Sequence, residues 1–206
     1  MIVQTLALGP AQTNCYLVSA DSVRDAVVID PGWEANAILG AARSAHLTIK
    51  AILLTHGHFD HIGAVADVKE ALNVPLIAHT REVDLLDAKG GADLFGFRIR
   101  SVPQPDRLVE QDDTIEIDAL KFEVRYVPGH TVGHVAFVEH RHRSAFVGDV
   151  LFAGSIGRTD LPGGDYDTLI ASITDQLMTL PDDFRVYPGH GPPTTIGLER
   201  RTNPFL

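Results

Sequence analysis

Apolar and polar positions recur with two periods along the chain, and each change of period marks an element. Residues 2–8 (IVQTLAL), 14–20 (NCYLVSA) and 25–32 (DAVVIDPG) are short β-rich runs parted by turn formers, which predicts three strands. Residues 34–46 predict a helix, and 50–56 (KAILLTH) a buried strand. Residues 61–72 (HIGAVADVKEAL) carry apolar positions three and four apart, the spacing of an amphipathic helix lying on a sheet. A strand over 74–79 and a helix over 81–89 follow.

The polar, proline-containing stretch 101–113 changes the regime. Beyond it, 114–117, 120–130, 134–140 and 144–150 read as strands with little helix between them. Residues 166–180 predict one strong helix, 184–190 a last strand, and the remaining tail is polar. Strands and helices occur in both halves, and no linker is long enough to part independent units. The expectation is one domain over residues 1–206, of α/β class, with two facing sheets and helices outside.

Composition narrows the setting. No apolar run approaches the roughly 18–20 residues of a membrane span, so no membrane partner is expected. The amino terminus has no early Lys or Arg and does not read as a secretory signal. Cys15 is the single cysteine and cannot form an internal disulfide, which points to a cytoplasmic protein. A net charge of -10 argues against nucleic acid, because neutralising phosphates takes clustered Lys and Arg. A small anionic substrate stays open, since one local arginine can receive it.

The ten histidines are many for 206 residues, and half of them fall in one pattern. The segment LLTHGHFDHIG (53–63) sets His56, His58, Asp60 and His61 directly after a buried strand. Four further apolar runs end in a possible ligand or acid: Asp30, His130, Asp149 and His190. Active sites collect where strand ends meet, because the sheet fixes positions while the loops stay open. His56 and His58 are two apart, so an extended backbone points both to one side, toward a single ion. Asp60 and His61 follow on the turn and can face a second ion. Imidazoles with few carboxylates suit zinc, and iron or manganese accept similar sets. Two ions about 3.5–4 Å apart can share Asp149 and a hydroxide.

THGHFDH with the downstream PGHT, GD and PGHG resembles the metallo-β-lactamase superfamily, and within it the small glyoxalase II-like hydrolases. The supporting residues span 14 to 204. The resemblance implies an αββα four-layer sandwich with a dinuclear site on one edge of the sheets. It implies His56, His58 and His130 around one ion, Asp60, His61 and His190 around the other, and Asp149 bridging them. The segments 154–166 (GSIGRTDLPGGDY) and 199–206 (ERRTNPFL) are similar to the same branch, and GRTD occurs also in persulfide dioxygenases. Only 16 residues follow His190, so the glutathione contacts of a helical C-terminal domain do not transfer. Asp160 stands where glyoxalase II tends to carry a tyrosine.

The function so implied is hydrolysis of a small-molecule thioester, a hydroxyacyl-thiol, by a metal-bound hydroxide, with Asp60 managing its proton and Asp149 between two zinc ions. The alternative is a mononuclear iron persulfide dioxygenase using His56, His130 and Asp149. Three residues carry two readings each. Asp30 is either a strand-end turn or an acid orienting a ligand histidine. His134, four after His130, either supports a ligand or is structural. Arg158 either binds a substrate anion or pins its Gly-rich loop.

Overall fold

The computed structural model describes residues 1–21 and 23–206. Six strands form the first sheet in chain order: β1 (Ile2–Leu8), β2 (Thr13–Ser19), β3 (Asp25–Ile29), β4 (Thr48–Leu53), β5 (Leu76–His79) and β6 (Arg107–Val109). The first three pair antiparallel, and β3 through β6 pair parallel, with Ile29 opposite Leu53. Helices α1 (Ala35–Ser44), α2 (Phe59–Ile62), α3 (Val65–Leu72) and α4 (Val83–Asp87) lie in the crossovers that parallel pairing demands.

The second sheet begins with β7 (Thr114–Ile117), β8 (Leu120–Tyr126), β9 (Val135–Glu139) and β10 (Ser144–Gly148). A short hairpin, β11 (Leu151–Phe152) with β12 (Ser155–Ile156), leads to α5 (Tyr166–Ser172), then β13 (Arg185–Pro188), β14 (Thr194–Thr195) and α6 (Ile196–Thr202). The sheet order is β14-β13-β10-β9-β8-β7, antiparallel except for the β10–β13 pair.

Alternation along these strands builds three separate apolar layers, and three layers require four layers of structure. In β2, Cys15 and Leu17 face Ile38 of α1 and Val65 and Val68 of α3. Tyr16 and Val18 point the other way, onto Phe122, Phe137, Phe146 and Tyr187 of the second sheet. That sheet turns Ala136, Val138, Val147 and Val186 outward onto Leu169, Ile173 and Leu177. Period 2 on both sheets and helical spacing outside give the αββα sandwich. Phe146 has no exposed surface, and truncating it to alanine would cost roughly 3–5 kcal/mol.

Departures from the sequence expectation are local. The helix expected over 61–72 is broken into α2 and α3, because the Ala64 N–H donates to the Pro31 carbonyl at 3.0 Å. The polar stretch 101–113 contains β6, fixed by the Asp106 carboxylate accepting the Leu76 N–H at 2.7 Å. The polar tail forms α6, where the Thr195 side chain accepts the Leu198 N–H at 3.2 Å. Helix 166–180 runs from Tyr166 to Leu177, its last turn widened to a π-helix. Among the described residues no helix is long and apolar enough to cross a membrane.

Candidate metal centre

Every candidate ligand follows the C-terminal end of a strand at one edge of the sandwich. Beyond β4 the backbone stays extended to His58, whose φ of -65° and ψ of 147° precede the single turn of α2. His56 and His58 thereby project on one side, while the turn presents Asp60 and His61. His130 follows β8, Asp149 follows β10 and His190 follows β13.

The structure brings these seven together as two triads and a link. His56, His58 and His130 hold donor atoms within 4.8 Å of one another, and so do Asp60, His61 and His190. Asp149 reaches both: Oδ2 lies 3.6 Å from His130 Nε2 and 3.4 Å from His190 Nε2, and Oδ1 lies 3.3 Å from His61 Nε2. Gly189 permits this approach, since a Cβ there would sit 2.0 Å from Asp149 Oδ1.

Three of the converging atoms, His56 Nε2, His61 Nε2 and Asp149 Oδ1, are buried without a hydrogen-bond partner. Although His61 and Asp149 are close, neither atom attains hydrogen-bond geometry toward the other. Buried polar atoms left so are costly, and for these three, which converge on one point, a shared cation is the partner their chemistry suits.

The opposite ring nitrogens are held. His61 Nδ1 lies 3.0 Å from Asp30 Oδ2, His130 Nδ1 2.7 Å from the Arg158 carbonyl, and His190 Nδ1 3.1 Å from the Ala11 carbonyl. His56 Nδ1 is 3.1 Å from Thr55 Oγ1. These contacts turn Nε2 of each ring toward the centre. His58 is the exception, pointing Nδ1 at His130 Nε2, 2.9 Å away.

Charge separates the triads. Burial, then the neighbouring rings, keeps His56 well below the usual imidazole range and holds His58 at about 3; burial also lowers His130. These are neutral donors, the form a metal binds. In the other triad burial opposes ionisation, but charge pairing outweighs it. Asp60 is held at about 2 chiefly by His61 and His190, Asp149 well below the carboxylate range, His61 well above its own, and His190 at about 9.

Asp30 sits behind the centre. Its oxygens accept from the Thr55 N–H at 2.8 Å and the Thr55 hydroxyl at 2.6 Å as well as facing His61. Those contacts occupy the carboxylate, although it also clusters with His56 and His61 in space. Its φ of 50° is left-handed, a conformation aspartate tolerates better than most residues. The His134 ring stacks on His56 at 4.6 Å, and its Nε2 accepts the Asp149 N–H at 3.1 Å. The Arg158 side chain is exposed at the cavity rim and paired with both oxygens of Asp160, at 2.7 and 2.8 Å.

Four supports had no role assigned from the sequence. Glu82, 1% exposed, accepts the Gly57 N–H at 2.6 Å, the Thr131 hydroxyl at 2.6 Å and the Gly133 N–H at 2.7 Å. It thus ties the loop of His56 and His58 to the loop after His130, and burial pushes its carboxyl above the usual range despite those donors. Thr13 donates to Asp60 Oδ2 at 2.9 Å. The Asn14 amide donates to the Pro188 and Gly191 carbonyls, holding the His190 turn at 3.0 and 2.9 Å. Glu199, in α6, accepts the Gly154 N–H at 2.9 Å and steadies the β11–β12 hairpin. The cavity over the centre measures about 450 Å³, with Phe59, Phe95, Phe152, Ile156 and Leu161 among its walls.

A four-layer sandwich with a metal-binding His/Asp cluster where its strands end defines a class of metallo-hydrolases. The chain belongs to the metallo-β-lactamase superfamily, whose sequence model matches residues 8–190. Hydroxyacylglutathione hydrolase GloC of Haemophilus influenzae is 41% identical over 209 residues, covering 100% of this chain and 98% of that one. Among solved structures, the BLEG-1 B3 metallo-β-lactamase superposes with a TM-score of 0.94 at 42% identity, covering 100% of this chain and 99% of the other. TTHA1623 in a di-iron-bound form gives 0.91 at 45% identity, with 99% and 100% covered. ETHE1 from Myxococcus xanthus gives 0.81 at 30% identity, with 99% and 84% covered.

Proposed function

We propose that this chain is a dinuclear metal-dependent hydrolase that cleaves the C–S bond of a hydroxyacyl thioester. The observation that carries the reading is the pair of complete triads joined by Asp149, supported by the likeness to a hydroxyacylglutathione hydrolase. His56, His58 and His130 would hold one ion, Asp60, His61 and His190 the other, with Asp149 between them. Zinc suits the imidazole-rich set, and iron or manganese would also fit. When bound, such ions supply hydroxide near neutral pH and charge to offset the developing oxyanion.

The chain's own part is orientation and proton handling. Asp30, the Arg158 carbonyl and the Ala11 carbonyl fix three rings, and Glu82 holds two ligand loops at a constant separation. Asp60 receives the proton of the attacking water, steadied by Thr13 and by His190, 3.2 Å away. Water adds to the acyl carbon, the C–S bond breaks, and carboxylic acid and thiol are the products. A thiolate is a tolerable leaving group, so no further acid is called on. The substrate is a small molecule, with neither nucleic acid nor membrane as partner. Buried, unpaired Cys15 is in keeping with a cytoplasmic setting.

The likeness to ETHE1 supports a second reading, one iron held by His56, His130 and Asp149 in a persulfide dioxygenase. The second triad weighs against it, since Asp60, His61 and His190 would then be held in place for nothing. Elemental analysis of protein from untreated cells, with thioester, persulfide and β-lactam assays, tests both. The expected result is two ions per chain and thioester hydrolysis. One iron with oxygen uptake on a persulfide would overturn it.

A further inference from the structure

Beside the cavity over the metal centre lies a second space, a lobe of about 190 Å³, and His58, Phe95 and Leu161 line both. Leu85, Leu94 and Pro162 complete much of its wall, and His58 is the one polar side chain among the lining residues. Gly90 shapes it: at a φ of 61° its Cα packs on the metal loop, where a Cβ would lie 2.2 Å from the Phe59 nitrogen.

The shared wall is buttressed by aromatic neighbours although solvent reaches it. Phe59 stacks on Phe95 at 5.1 Å and on Phe97 at 5.2 Å, and Trp33 meets Phe97 edge-on at 5.5 Å. Yet Phe95 is 42% exposed and Leu94 74%. Large apolar side chains held open to water next to a reactive centre lose little more by contacting a ligand and gain its buried area. Charge argues the same way. Among the described residues the only Lys or Arg lining the larger cavity is Arg158, and Asp160 already pairs with it, while Asp60 and Asp149 are anionic. A substrate limb bearing carboxylates would find no free Lys or Arg there.

We infer that this lobe receives an apolar limb of the substrate, a short aliphatic chain or a phenyl-sized ring within a few bonds of the reacting carbon. The size fits, since an apolar cavity of about 150 Å³ holds benzene. The inference rests on the thioester reading only for the bond that is cleaved. The limb belongs to either the acyl or the thiol half, and the test has an arm for each.

Calorimetric titration of the metal-loaded protein with alkanecarboxylates from acetate to hexanoate, and with alkanethiols of matching length, measures the lobe without turnover. In at least one series Kd should fall about threefold to fourfold per added methylene, the value of roughly 0.8 kcal/mol per buried CH₂. Leu94→Asp should reduce that gain below about twofold, and Phe95→Ser should reduce the chain-length dependence by a second route. Two flat or absent series, or an unchanged chain-length dependence in both variants, would overturn the inference. Acyl thioesters of the same lengths are then assayed. Chain-length-dependent binding with no cleavage of any thioester would sink the hydrolase reading and leave the lobe standing.

Discussion

Glu82→Ala should destabilise the fold and loosen the metal centre together, although Glu82 touches no ligand atom. The carboxylate accepts three hydrogen bonds, two from backbone N–H groups on either side of the site. Each bond to a charged acceptor is worth roughly 1.5–3 kcal/mol, and water entering the space of the lost side chain recovers part of the sum. The expected net cost is about 3–5 kcal/mol, since three buried donors each lose an acceptor at about 1–3 kcal/mol before water recovers part. At roughly 2–4 °C per kcal/mol for a chain of this size, Tm should fall by about 6–20 °C. Gly57 lies between His56 and His58, so metal affinity should fall about 10- to 100-fold, as when other supports of metal ligands are removed. Glu82→Gln separates the two loops. Its oxygen can still serve Thr131 and Gly133, whereas its amide opposes the Gly57 N–H. It should therefore recover about half of the stability and little of the metal affinity. Thermal denaturation and chelator competition read the two quantities. A Glu82→Ala protein within about 1 kcal/mol of wild type, or one with unchanged metal affinity, would refute the reasoning.

Asp149→Ala should abolish turnover and leave fewer than two ions per chain with the far-ultraviolet spectrum intact; full activity in folded protein would remove Asp149 from the centre. Arg158→Ala should change KM less than about threefold even for a carboxylate-bearing thioester, because Asp160 already occupies the guanidinium. A rise beyond tenfold, about 1.4 kcal/mol, would make Arg158 the anion anchor after all. Metal-free protein should be most stable near pH 6.5, the ordinary histidine value. His58, held at about 3, binds its proton more readily when unfolded, so stability falls as pH drops from 6.5 toward 3. His190, held at about 9, binds its proton more readily when folded, so that contribution is full below 6.5 and is lost as pH rises through 9. Chemical denaturation across that range checks both limbs, and a flat profile would count against the charge division between the triads.

What could be read in the sequence was whatever repeats or punctuates. The strands with clean alternation and the ligand motifs at their ends were legible, because period 2 and a His-x-His spacing are local properties. Strand β6 was not, since Arg107–Val109 is too short to show a period and is held by Asp106 reaching back to Leu76. Helix α6 was hidden for a similar reason: its buried side is mainly Ile196, Gly197 and Glu199, and buried Glu199 reads as solvent-facing until Thr194, Gly154 and Asn203 are found around it. Glu82 is the clearest case. It opens a segment whose spacing says helix, and nothing nearby in sequence marks an acid whose three partners lie 25, 49 and 51 residues away. A residue acting through donors so distant is defined by tertiary structure alone.

That distance also explains why the site belongs at this edge of the sandwich. Each sheet supplies ligands that the other cannot: His56, His58, Asp60 and His61 follow β4 in the first, while His130, Asp149 and His190 follow strands of the second. Mutual position then depends on how firmly the sheets are joined there. Thr13 bridges to His190, the Asn14 N–H donates to the Gly189 carbonyl at 2.7 Å, and the Tyr16 hydroxyl donates to the Pro188 carbonyl at 2.5 Å. Tyr16 also anchors the inter-sheet core against Phe146 and Tyr187, at 5.3 and 5.6 Å. Sheet packing and ligand placement are therefore coupled through β2. An ion that draws ligands from both sheets tightens the same joint, and since it binds the folded chain and not the unfolded one, its free energy adds to that of the sandwich. Tyr16→Phe separates the packing from the latch. It keeps the ring in the core and removes only the hydroxyl from Pro188, so metal affinity should weaken by more than the small loss in metal-free stability would suggest. Equal losses in both would show that β2 acts through packing alone.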